Sequence, residues 1–117
     1  MRRFWILTLF FLSVVACNAP APEGSPFDRH NELVFTKHAR CRMDCRHITA
    51  NEIHEILNSG TINYAKSEPY ASPDPKYAVE GYTAEQQHLR IIVAPEGMKL
   101  IVVTCIELGV EWSCNCN

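Results

Sequence analysis

Four cysteines, one histidine and a run of arginines hold most of the chemistry open to this chain. The segment CRMDCRH at 41–47 sets Cys41 and Cys45 four apart, and the chain closes with EWSCNCN, in which Cys114 and Cys116 stand two apart. On a helix, residues three and four apart share a face, so His38, Cys41 and Cys45 form one stripe. In an extended tail, residues two apart project to one side, so Cys114 and Cys116 do the same. A bond between Cys41 and Cys45 is disfavoured, because a disulfide needs Cβ atoms about 3.5 to 4.5 Å apart and helical neighbours sit about 5 to 6 Å apart. Two uses remain. Thiolates around one zinc lie roughly 3.8 Å apart, so Cys41, Cys45, Cys114 and Cys116 suit zinc, with His38 as a spare ligand. The spacings differ, however, from a zinc ribbon, which has a two-residue gap within both pairs. Alternatively, two disulfides join the helix to the tail, closing a loop of about 70 residues and stabilising by about 4 kcal/mol for the first bridge in the chain-entropy model. The cofactor is accordingly zinc or none, and both uses require the tail to pack on the helix. Cys105, in an apolar strand, reads as a core thiol.

The compartment bears on that choice. Met1, Arg2 and Arg3 precede the apolar run FWILTLFFLSVVA and then Cys17. A charged start and about 13 apolar residues fit a secretory signal over 1–16, short of the ~20 residues that span a membrane. VVAC, Val14 to Cys17, resembles a bacterial lipobox, in which the cysteine is acylated and becomes the mature N-terminus. Cys17 is therefore the expected lipidation site, and two or more acyl chains give stable attachment. Asn18 after the cysteine, in the resembled system, favours the outer membrane and so its periplasmic face. The lipidated Cys17 and NAPAPEGSP make a proline-rich tether over 17–26, extending about 3 Å per residue where it is proline-like. Export means an oxidising environment, in which an even set of cysteines more often forms disulfides. Compartment thus argues for disulfides, and spacing argues for metal.

The remaining stretch, 27–117, is long enough for a single α+β domain with a modest core, in the size range where a staple helps. LVFT at 33–36 is short and extended, and Thr36 can cap a helix carrying KHARCRMDCR. ITANEIHEILNSG has full start and stop signals: Thr49 and Glu52 form a capping box, Ile48 and Ile53 a hydrophobic staple, and Ser59-Gly60 closes the helix. TINYAK, KYAVEGY, QHLRIIVA and KLIVVTCIELG then read as strands, separated by the proline loop SEPYASPDP and the turns TAEQ and PEGM. The expected fold is two N-terminal helices packed on one face of a roughly four-stranded antiparallel meander. Leu89, Ile91 and Val93 share its core face, joined by either Leu100 and Val102 or the alternate set Ile101, Val103 and Cys105.

FTKHARCRMDCRHITANEIHEIL, with its Phe-Thr lead, His38-Ala39, Arg42-Met43, Arg46 and an isoleucine opening the next helix, resembles the hallmark of the bacterial domain-of-unknown-function family 4258. LRIIVA and KLIVVTCIE are similar to that family's paired strands, and the resemblance spans nearly all of Phe35 to Glu107. Through the family the chain is distantly similar to toxin endoribonucleases of the RelE and BrnT type. That likeness implies helices on a meander and, as one expectation, an RNA-cleaving site.

Such a site would draw on Lys37, His38, Arg40, Arg42 and Arg46, with His88, Arg90 and Thr104 on the strands. A ribonuclease needs a proton-transfer group and cations for the phosphate transition state, which histidine and arginine supply. His38 is the candidate metal ligand or catalytic group, and Arg42, Arg46 and Arg90 are the candidate anion-binding groups. The blander readings are a His38 that hydrogen-bonds backbone and arginines solvated or paired with Asp44, Glu52 and Glu55. Residues 27–117 carry nine Lys and Arg against twelve Asp and Glu, so no strong field draws nucleic acid, which is not an expected partner. Gly-rich phosphate loops, nucleophile elbows and histidine-pair zinc-hydrolase motifs do not occur. The sequence therefore predicts a non-catalytic binding or structural module of the cell envelope, with the membrane and an unidentified protein as partners. The alternative is a toxin-like endoribonuclease relative using His38 with Arg42 and Arg46.

Overall fold

Thr36 separates the first two elements and fixes both. In the computed structural model, which describes residues 25–116, strand β1 (Glu32–Phe35) runs into Thr36 and then helix α1 (Lys37–Arg46). Thr36 is extended, its side chain accepts from the Ala39 N–H, and its hydroxyl and N–H donate to the carbonyls of Val103 and Val102. One residue thus caps the helix and anchors it to a strand distant in sequence. Helix α2 (Ala50–Ser59) begins at Thr49, which accepts from the Glu52 N–H. The return contact runs from the Thr49 hydroxyl to Glu52 Oε1 at 3.0 Å, rather than from the backbone as in the usual capping box. Ile48 and Ile53 are both buried, as the staple requires. Gly60 ends α2 in an extended conformation, and space is what demands glycine there: a Cβ would lie 2.5 Å from the Ile56 carbonyl oxygen and 2.7 Å from that of Glu80.

Four strands follow: β2 (Thr61–Glu68), β3 (Lys76–Tyr82), β4 (His88–Glu96) and β5 (Lys99–Glu107). They form the antiparallel meander, but the sheet has five strands, ordered β1-β5-β4-β3-β2. The expected all-antiparallel meander of four is thus corrected to a mixed sheet, since β1 pairs in parallel with β5 from Glu32 opposite Lys99 to Phe35 opposite Val102. Four residues carry too short a pattern to reveal a partner more than sixty positions away. Beyond Phe35 the edge of β5 is covered by α1 instead, and the Arg46 guanidinium donates to the Cys105 carbonyl on that edge.

One sheet face packs on α2 around Ile53, Ile56, Leu57, Val79, Leu89, Ile91 and Val93. In β5 the core residues are Leu100, Val102 and Cys105, a mixture of the two sets that alternation offered. The register explains it: Ile92 lies opposite Thr104 and Val93 opposite Val102, so Val103 is an extra residue in a bulge. A bulge shifts the alternation by one, so Thr104 and Ile106 face away from the core. In β2 the pairing slips between Asn63 and Glu68. Ser67 bridges the gap, accepting from the Ala78 N–H at 2.9 Å and donating to the Asn63 carbonyl at 2.7 Å. The expected signal peptide, Cys17 and most of the tether lie outside the described residues.

Candidate functional site

Helix α1 divides its surface three ways. Ala39 and Met43 turn to the core, Cys41 and Cys45 to the C-terminal tail, and His38, Arg42 and Arg46 to the sheet face that α2 leaves uncovered. The third stripe advances by four residues at each step, the spacing that keeps side chains stacked along a helix.

The tail is covalently tied. Cys41 pairs with Cys116 and Cys45 with Cys114, at Cα separations of 5.8 and 5.9 Å, so the tail runs antiparallel to the helix. Of the two uses that the spacing allowed, the structure takes the disulfides, and no thiolate of the set remains for zinc. Among the described residues no group of three or more His, Cys, Asp or Glu side chains is placed to hold a metal. The Trp112 and His47 rings pack edge to face, with centroids 4.9 Å apart, just past the helix end. Cys105 is buried and unpaired, as its apolar strand predicts. Burial pushes its thiol up to about 11, with Arg46 and Arg42 opposing the shift.

The tail also sets the state of His38. Its Nδ1 lies 3.0 Å from the Cys116 carbonyl oxygen, and a carbonyl only accepts, so Nδ1 carries the proton when the ring is neutral. Nε2 then presents a lone pair and accepts from Arg42 Nε at 3.4 Å. The backbone-bonded histidine and the chemically poised one are thus the same residue.

Over the open face these groups make a trough of about 370 Å³. His38, Arg42 and Arg46 form one wall, Lys66 of β2 contributes from the opposite side, and Arg90, Ile92, Thr104 and Ile106 supply the floor. Arg90 donates from Nε to Glu80 at 2.6 Å, and Asn63 donates to the same oxygen at 2.9 Å. Burial alone would raise the Glu80 carboxyl, but these hydrogen bonds and the Arg90 charge outweigh it and hold the group below the usual carboxylate range. Among the described residues no carboxylate lies within ion-pair distance of Arg42, Arg46 or Lys66. Of the two bland readings of the arginine face, solvated or paired with Asp44, Glu52 and Glu55, the pairing does not form: Asp44 is exposed, Glu52 serves Thr49, and Glu55 accepts from the Ala84 N–H. Burial, and then the neighbouring Arg42 charge, make Arg46 easier to deprotonate than an ordinary arginine.

The structure therefore brings together His38, Arg42, Arg46, Arg90 and Thr104. His88 lies one rung beyond, stacked on Tyr82 with ring centroids 4.2 Å apart. Lys37 and Arg40 are exposed on the far side of the helix. Lys66 was not legible, because the β2 irregularity accompanies its placement and TINYAK alone gives no sign of it. A larger cleft, about 640 Å³, lies between residues 25–30, the end of α2 and the start of β2. Its Arg29 donates to the carbonyls of Leu57 and Gly60, whereas the smaller trough gathers Arg42, Arg46 and Lys66, whose charges no carboxylate among the described residues offsets.

The profile of the family "Domain of unknown function (DUF4258)" matches residues 35–107, from the last residue of β1 to the last of β5. No curated protein and no solved structure matches the chain. Cys114 and Cys116 lie beyond the matched stretch, so the family domain supplies the helix and the trough floor while the segment after it supplies the brace. A match over more than half of the sequence, on a fold whose helices and paired strands lie within it, shows that the chain belongs to the DUF4258 family.

Proposed function

We propose that the protein is a lipid-anchored module of the bacterial cell envelope, exported and held through Cys17 at the periplasmic face of the outer membrane. In this reading it binds an anionic ligand in the trough and does not transform it. The lipobox-like VVAC and the proline-rich tether support the address, and paired cysteines suit an oxidising compartment. The observation that carries the binding role is the set of three cations, Arg42, Arg46 and Lys66, gathered without carboxylate partners among the described residues. Holding like charges together over a partly apolar floor costs free energy that a bound anion recovers. The test has two arms. Cys17→Ser should move the protein from the membrane to the soluble fraction of expressing cells. Sulfate titrated into the oxidised protein should shift the guanidinium and ammonium resonances of Arg42, Arg46 and Lys66; undisturbed resonances would remove the binding role.

One observation favours a second reading, a ribonuclease relative: the His38 Nε2 lone pair stands beside Arg42, an arrangement that can take a proton from a ribose hydroxyl while cations hold the phosphate. It predicts RNA cleavage that His38→Ala abolishes, and intact RNA after prolonged incubation would exclude it.

A further inference from the structure

We infer that the anion bound in the trough is a phosphomonoester carried on a ring, as in a sugar phosphate or a phosphorylated glycolipid headgroup. The inference rests on the binding role above and gives it a ligand class.

Charge is the first argument. Glu80 occupies Arg90, so among the described residues the groups without a carboxylate partner are Arg42, Arg46 and Lys66. A monoanion leaves most of that excess in place, whereas a phosphomonoester carries about −1.5 to −2 near neutral pH. Direction is the second. Two guanidiniums stand one helical turn apart on one wall, an ammonium reaches in from the other, and a guanidinium lies in the floor. Donors arriving from several sides suit a tetrahedral group with three terminal oxygens better than a planar carboxylate, and arginine forks match such oxygens in pairs.

His38 supplies the third argument. With Nδ1 held by the Cys116 carbonyl, Nε2 accepts only a long 3.4 Å contact from Arg42, and a proton carried by the ligand gives that lone pair a shorter partner. A ring hydroxyl or a protonated phosphate oxygen provides one; inorganic sulfate does not.

The fourth argument is the surface under the ligand. Ile92 and Ile106 make part of the floor apolar, which suits the carbon face of a ring. The trough volume of about 370 Å³ falls within the ≈ 300–1,000 Å³ range of small-ligand sites.

The test uses the oxidised mature chain with Cys17→Ser, so that an acyl anchor does not itself bind vesicles. Glucose-6-phosphate and glucose-6-sulfate, matched in shape but not in charge, are titrated at neutral pH. The phosphate is expected to bind at least about tenfold more tightly, the least that one added charge-assisted hydrogen bond supplies. Arg42→Ala and Lys66→Ala should each cost about tenfold, and the preference for phosphate should fade below about pH 6 as it takes up its proton. Flotation with phosphatidylcholine vesicles doped with phosphatidylinositol 4-phosphate, against vesicles doped with phosphatidylinositol, separates the sources. Tighter binding to the phosphatidylinositol 4-phosphate vesicles than to the soluble ester assigns the group to a lipid headgroup, and the reverse assigns it to a soluble sugar phosphate. Equal affinity for phosphate and sulfate esters overturns this inference and leaves the anion-binding role standing. No binding to either ester or to the phosphatidylinositol 4-phosphate vesicles overturns both.

Discussion

The two helices are the same length and are both capped by threonine, yet they are held in place by different forces. Helix α2 is amphipathic and buries Ile53, Ile56 and Leu57 against the sheet. Helix α1 has only Ala39 fully buried, with Met43 packed at its margin. Burying an Ile or Leu side chain stabilises by about 1.5 to 3 kcal/mol, so α2 is secured by its own sequence. The weak apolar face of α1 is supplemented by Thr36, by the Arg46 contact to β5 and by two disulfides to the tail. The difference teaches where chemistry has room: a helix relieved of most core packing can give one stripe to a covalent brace and another to a site.

Removing the brace is the strongest way to break the comparison. Replacing Cys41, Cys45, Cys114 and Cys116 together by serine should cost at least about 4 kcal/mol in urea unfolding, mostly for the first loop closed. Ile56→Ala, inside the α2 contact, should cost about 2 to 5 kcal/mol while leaving anion binding by the surviving folded fraction unchanged. If instead the cysteine variant keeps wild-type stability, the tail does not hold α1.

The caps sharpen the contrast at smaller magnitude. Thr49→Ala should lose about 1 kcal/mol, and Thr36→Ala more, because Thr36 also bonds to β5; equal losses would mean that the β5 anchor contributes nothing. Titratable groups give the weakest effects, read from stability against pH. The Glu80 carboxyl is depressed in the folded chain, so its contribution is present above the unfolded carboxylate range and is lost as pH falls through the folded value. Glu80→Gln should flatten that acid limb. Cys105 is raised from 9.0 to about 11, so its contribution is complete below about 9 and fades as pH rises from there towards 11. Cys105→Ala should flatten the alkaline limb.

Legibility followed the same division. The α2 boundaries, its cap and its staple were readable because local signals and burial agree there. The α1 span and its cysteine stripe were readable as well, but the cysteine chemistry was not, since disulfides and zinc both need the tail against the helix. The place of β1 and the reach of Lys66 were hidden for a shared reason: each depends on a partner or an irregularity fixed by tertiary structure. The Val103 bulge is the clearest case, because one extra residue decided whether Thr104 faced the core or the trough.

The measurement that tests the central claim most directly is amide hydrogen exchange on the oxidised and the fully reduced protein, compared helix by helix. The account predicts that reduction lowers protection sharply over 40–46 while Ile56 and Leu57 keep theirs. Loss of protection in both helices together, or in neither, would contradict it, because the tail disulfides would then not be what holds α1 over the trough.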